Sequence, residues 1–237
     1  YISHIANREN IPETSYGRID SWMLANITDM SGLFDRRSDF NRDISSWYVG
    51  RVTNMRSMFR GASSFNHPLA DWSVNNVTDM AAMFRGASAF DQDISNWNVS
   101  NVKNMQSMFQ DANAFNKPLA DWSVNSVTDM SGMFQGASFF NQDISSWDVS
   151  GVTSMTAMFQ DASAFNQDIS NWQINPPAFH ETMFKDCEID SLNMPYTFRG
   201  RPGFSDENEE LKTAIISYIG NIGKDTNITE ISYGRID

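Results

Sequence analysis

Residues 97–121 read WNVSNVKNMQSMFQDANAFNKPLAD, and the same frame recurs every 25 residues along the chain. All seven tryptophans, Trp22, Trp47, Trp72, Trp97, Trp122, Trp147 and Trp172, keep that spacing. A second column runs through Phe34, Phe59, Phe84, Phe109, Phe134, Phe159 and Phe184; Met precedes six of these, and Leu33 takes its place in the first. Further columns hold Met30, Met55, Met80, Met105, Met130 and Met155, and Phe40, Phe65, Phe90, Phe115, Phe140 and Phe165. A fixed period in the range of about 20 to 50 residues marks a repeat array in which each unit buries its apolar side against its neighbours.

Within one unit the apolar spacing changes. Met105, Met108, Phe109 and Ala112 follow i, i+3, i+4, i+7, which predicts a short helix, while residues 115–119 and 140–144 look extended. The expected fold is an α/β repeat solenoid with one short parallel strand and one short helix per 25-residue coil, plus a helical cap segment. The copied unit is a pair of coils: residues 69–93 match 119–143 at 19 of 25 positions but match the adjacent 94–118 at only 10. Pro68 and Pro118 recur in alternate coils, where a residue without an N–H suits a strand start.

A third repetition joins the ends. Ser15 to Asp20 reads SYGRID, and Ser232 to Asp237 reads it again at an offset of 217, together with Tyr1/Tyr218, Ile2/Ile219, Ile5/Ile222 and Ile11/Ile228. Asp206 and Glu209 suit an N-cap and its capping-box partner for a helix over 206–219, with Leu211, Ile215, Tyr218 and Ile219 on one face. The resulting division is a leading cap over 1–18, a seven-coil solenoid over 19–193, and a linker, cap helix and start of a next module over 194–237. The 217-residue offset reads most simply as one module of a tandem array, the alternative being a single domain whose two termini share a cap motif.

Composition removes several classes of function. The 237 residues carry a formal net charge of −12, which argues against a binder of phosphate backbones. No apolar run approaches a membrane span. Cys187 is the only cysteine, so no intrachain disulfide forms, and His4, His67 and His180 are too scattered for a metal cluster. No G-x-S-x-G elbow, phosphate loop or dinucleotide glycine pattern occurs, and no His keeps a fixed relation to a Ser column. The expectation is no catalytic residue and no cofactor.

The columns that could carry chemistry each have a structural reading beside the functional one. Trp47, Trp72, Trp97, Trp122 and Trp147, with Met108, Phe109, Phe134 and Phe159, read as core, because every coil repeats them. Cys187 stands in the column of Ala62, Ala87, Ala112, Ala137 and Ala162, a tight interior position that suits an inert thiol. Asp43, Asp93, Asp143 and Asp168, beside Asn41, Asp91, Asn141 and Asn166, are calcium candidates by donor type and turn residues by habit. Proline interrupts that column at 68 and 118, so no continuous metal ladder can run along it. Thr28, Thr53, Thr78, Thr128 and Thr153 suit N-caps of the expected helices. Asn26, Asn76, Asn98 and Asn227 lie in N-x-S/T sequons, glycosylation acceptors if the chain is secreted by a eukaryote.

The combination Trp-x-Val-Ser-x-Val-x-x-Met-x-x-Met-Phe-x-x-Ala-x-x-Phe, at Trp97 to Phe115 and Trp147 to Phe165, resembles the Met-Phe repeats of BspA-like surface proteins. The resemblance covers about residues 15–187, and Pro176-Pro177 departs from it in the seventh coil. It implies a leucine-rich-repeat-like solenoid on a cell surface or outside the cell, with adhesion or partner binding as its role and no catalytic residue. The expected function is a non-enzymatic structural or adhesive module of a fibre, stalk or adhesin, whose partners are neighbouring copies joined end to end. The alternative is a recognition module that binds a protein or glycan on its sheet face. The near-uniform Gln92, Gln142 and Gln167 favour the scaffold, since a receptor-binding face should vary between coils.

Overall fold

The computed structural model describes residues 24–174 and 182–198. The proposed leading cap, Trp22, the cap helix over 206–219, Asn227 and the second SYGRID stretch lie outside the described residues.

The repeat units stack, and the columns read from the sequence become ladders in space. Phe34, Phe59, Phe84, Phe109, Phe134, Phe159 and Phe184 form one line of near-parallel rings with centroids 5.5–5.7 Å apart. Phe40 to Phe165 form a second line at 5.6–6.2 Å. The two lines touch within each unit, as where Phe109 lies 4.1 Å from Phe115. The Met and Val columns and the Ile/Leu positions such as Ile94 and Leu119 close the same interior. Each fully buried Phe or Met contributes on the order of 1.5–3 kcal/mol.

The expected α/β architecture is overturned. Among the described residues there is no α-helix and no sheet: the only helical elements are two short 3-10 turns, Ser191–Asn193 and Tyr196–Phe198. Parallel pairing is confined to isolated bridges, one per junction: Asp29 with Asn54, Asn54 with Asp79, Asp79 with Asn104, Asn104 with Asp129, and Asp129 with Ser154. A leucine-rich-repeat-like coil with one strand and one helix is therefore not formed. Pro68 and Pro118 start no strand.

The reason lies in two backbone positions per unit. The column Gly32, Ser57, Ala82, Ser107, Gly132, Ala157, Thr182 has φ between 54° and 63°, and so does, at 55–69°, the column Arg36, Gly61, Gly86, Asp111, Gly136, Asp161, Asp186. A left-handed residue every fourth position breaks the run of right-handed φ/ψ that an α-helix requires. The apolar i, i+3, i+4, i+7 spacing is met instead by consecutive tight turns. Their N–H groups alternate in direction: Met108, Gln110 and Ala112 donate within the unit to Met105, Ser107 and Phe109, whereas Met105, Ser107, Phe109 and Asp111 donate to Asp129, Ser131, Met133 and Gln135 of the next unit. Four of these seven donors thus join units, which satisfies the turn's backbone without helix or sheet.

After Phe184 the ring line ends edge-on. Phe198, buried, meets Phe184 at 5.1 Å and an interplanar angle of 77°. With Ile189 and Met194 it covers the apolar side of the last described unit.

Candidate functional site

The polar columns divide into those that join units and those that build turns. The leading feature is a ladder of side-chain amides. Asn66 N–H donates to Asn41 Oδ1, Asp91 to Asn66, Asn116 to Asp91, Asn141 to Asn116, Asn166 to Asn141, and Asp190 to Asn166, all at 2.8–3.1 Å. The 115–119 backbone, which belongs to no strand, thereby finds an acceptor for its Asn116 N–H 25 residues away. The following column reinforces the ladder: Gln92, Gln142 and Gln167 each donate from Nε2 to the same Asn Oδ1 in the preceding unit at 2.8–2.9 Å. Lys117 occupies the equivalent place beside Asp91, the one carboxylate in the described ladder, and pairs with it at 2.8 Å. The glutamine uniformity that suggested an unvarying exposed face thus has a different physical cause, since these side chains hold units together.

The tryptophans also join units. Each described indole is buried, and Nε1–H of Trp72, Trp97, Trp122, Trp147 and Trp172 donates to the carbonyl of Ile44, Leu69, Ile94, Leu119 and Ile144 respectively at 2.9–3.2 Å. Trp47 is buried against Phe34. Met108, Phe109, Phe134 and Phe159 are fully buried. The threonine column serves a role other than the expected helix N-cap: Thr53, Thr78, Thr128 and Thr153 donate from Oγ1 to the carbonyl 25 residues earlier at 2.9–3.2 Å. Among the described residues no α-helix is present for them to cap.

The calcium candidates sit in turns. Asp43, Asp93, Asp143 and Asp168 each accept the backbone N–H of the residue two positions on, Ser45, Ser95, Ser145 and Ser170, at 2.9–3.0 Å. Among the described residues no group of three or more His, Cys, Asp or Glu side chains gathers as a metal ligand set. The serine N–H bonds hold the carboxyls of Asp43, Asp93 and Asp143 below the ordinary carboxylate range; in Asp143 repulsion from neighbouring Asp168 works the other way. A depressed folded pKa contributes stability that is present above the unfolded value, about 3.9, and is lost as pH falls through the folded one. Thermal melts should therefore show these groups contributing evenly from pH 7 to about 5 and progressively less below about 4. Because asparagine keeps the acceptor but cannot titrate, the triple variant Asp43→Asn/Asp93→Asn/Asp143→Asn should flatten that acid limb, and an unchanged limb would refute the assignment.

Cys187 lies half-buried on the Ala162 and Phe165 carbonyls at 3.5 and 3.6 Å. Burial raises its thiol to about 11, so it is protonated at neutral pH. Of the sequon asparagines, Asn26, Asn76 and Asn98 are exposed. Asn76 Nδ2 donates to the Gly50 carbonyl at 2.7 Å, and Asn98 Oδ1 accepts from Ser100. No helix among the described residues is long and apolar enough to cross a membrane.

No curated protein matches the chain. A family pattern does match over residues 6–122 and again over 87–196, the stretch that carries the aromatic ladders. The chain therefore belongs to the repeat family DUF285, described as Mycoplasma protein of unknown function.

Proposed function

We propose that the chain is a non-enzymatic structural module of the BspA-like kind, displayed on a cell surface or outside the cell, and that copies join end to end into a fibre, stalk or adhesin. The observation that carries this reading is where the repeated polar side chains are used. Asn116 accepts from both Asn141 and Gln142 of the next unit, and the Thr and Trp columns likewise bond the preceding one. The turn aspartates are held on backbone N–H groups and stay ionised at neutral pH, which suits a structural acceptor better than a general acid. In a stack, stability is roughly a sum of unit and interface terms, so added neighbours stabilise the array.

A chain carrying two of the 217-residue copies should melt above a chain carrying one. Light scattering on the single copy should show mass rising with concentration as open-ended association proceeds. A strictly monomeric single copy, with no stability gained in the two-copy chain, would refute the end-to-end reading. The alternative, recognition of a protein or glycan, has one observation in its favour: Phe139 is 65% exposed in a column otherwise made of Asp39, Ser64, Ala89, Ala114 and Ala164.

A further inference from the structure

We propose that the junction between the units carrying Asp143 and Asp168 binds a neutral oligosaccharide, with Phe139 as the platform for one sugar ring. The observation is that the two-unit repeat breaks there. Alternate units read His67-Pro68 and Lys117-Pro118, so the alternation calls for a base and a proline at 167–168, where the chain has Gln167 and Asp168. Phe139 breaks its own column at the same junction, standing between Ala114 and Ala164 of the flanking units with its ring exposed.

These departures leave a site. Asp143, Ser145, Gln167, Asp168, Ser170 and Asn171 line an open depression of about 350 Å³ across the two units. Pro68 and Pro118 keep the other turn aspartates of the column out of successive units; here two carboxylates follow one another, and Asp168 repels Asp143. A base stands near Asp43, in His67, and near Asp93, in Lys117. Gln167 takes that place for Asp143, which has no cation within ion-pair distance among the described residues. Each carboxylate gives one oxygen to its own turn, Oδ1 accepting the N–H of Ser145 or Ser170.

The lining matches sugar hydroxyls more closely than it matches a cation. A cation needs acceptors alone, whereas a hydroxyl both donates and accepts, and the depression sets serine hydroxyls and the amides of Gln167 and Asn171 beside its carboxylates. The negative face of an exposed aromatic ring attracts the polarised C–H groups of a pyranose. Phe139 precedes Asp143 by four residues, so their Cα atoms lie at most about 14 Å apart, a span that a short oligosaccharide covers. Two carboxylates and a net charge of −12 repel uronates and sulfated glycans. The proposal does not rest on end-to-end joining: a chain that never associates still carries this junction.

The test is calorimetric titration of the full chain with cellohexaose, laminarihexaose, mannohexaose and N-acetylchitohexaose at millimolar concentration. Hexagalacturonate and an alternating Lys-Leu peptide are the charged comparisons. At least one of the four neutral sugars should bind, with the same affinity at low salt and at about 1 M. Phe139→Ala places the residue found at 89, 114 and 164, and Gln167→Lys/Asp168→Pro restores the pair found at 117–118. Each variant should lose at least about tenfold in affinity while melting like the unaltered chain. No binding of any neutral hexasaccharide, binding that survives Phe139→Ala, or a preference for the uronate or the basic peptide would each overturn the proposal.

Discussion

Phe109→Ala should destabilise the chain by about 3–5 kcal/mol, one of the largest effects expected of any single substitution in the stack. Phe109 is fully buried, and its ring lies 5.6 Å from Phe84 in the preceding unit, 5.6 Å from Phe134 in the following one, 4.1 Å from Phe115 and 6.3 Å from Trp122. Phe84, Phe134 and Trp122 are themselves held by inter-unit hydrogen bonds, which resists collapse around the gap. The backbone on either side is fixed too, since Phe109 N–H donates to Met133 and Phe84 N–H to Met108. Urea denaturation gives the loss, and hydrogen exchange shows where it falls. Because interface energy is shared between neighbours, amide protection should fall over residues 72–96 and 122–146 as well as in the mutated unit. A loss below about 1 kcal/mol, or one confined to residues 97–121, would contradict the shared ladder.

Asn116→Ala should cost about 1–3 kcal/mol although it removes little apolar surface. Its Oδ1 accepts the Asn141 backbone N–H at 3.0 Å and the Gln142 side-chain amide at 2.9 Å, and both donors are half-buried. Alanine leaves each without its acceptor. Asn116→Asp supplies the needed comparison, because Asp91 already serves in the same column and accepts the Asn116 N–H. That variant should retain most of the stability, losing only what the new charge beside Asp91 costs. Equal losses in the two variants would show that the amide ladder is not what holds the 115–119 backbone.

Much of the interior was legible from residue types alone, and much of the backbone was not. A Trp or Phe repeated every 25 residues has one economical explanation, burial against its own copies. The turn geometry was harder to read, because Met105, Met108, Phe109 and Ala112 satisfy helical spacing equally well when wound into left-handed-interrupted turns. The signal against a helix lay in the outward columns. Gly32 and Gly132 fall in one, and Gly61, Gly86 and Gly136 in another, four positions away. Glycine recurring at two fixed places in an apolar-periodic segment marks positive φ, and a helix that short would not tolerate it so often. The Asn column was visible as a turn-forming or oxygen-donor row, but its acceptor role reaches 25 residues along the chain and leaves no local trace. The same holds for the indole N–H groups, whose acceptors lie 28 residues upstream.

The alternating direction of the turn hydrogen bonds gives the stack a polarity. At the junction after Asp111 four peptide groups, those of Met105, Ser107, Phe109 and Asp111, aim their N–H toward the next unit, while two of that unit, those of Thr128 and Asn141, aim back. Opposed dipoles cancel and the surplus adds along the axis, leaving partial positive charge at the end toward residue 198 and partial negative charge at the end toward residue 24. Toward the negative pole Arg36, Arg56 and Arg60 stand among Asp29, Asp35 and Asp39, and toward the positive one Asp161, Asp186, Glu188 and Asp190 outnumber Lys185. The stack therefore behaves as a rod whose two poles differ electrically even where its units are nearly identical, and reversing the order of the units would set the carboxylates of Asp161, Asp186, Glu188 and Asp190 against the field of their own backbone.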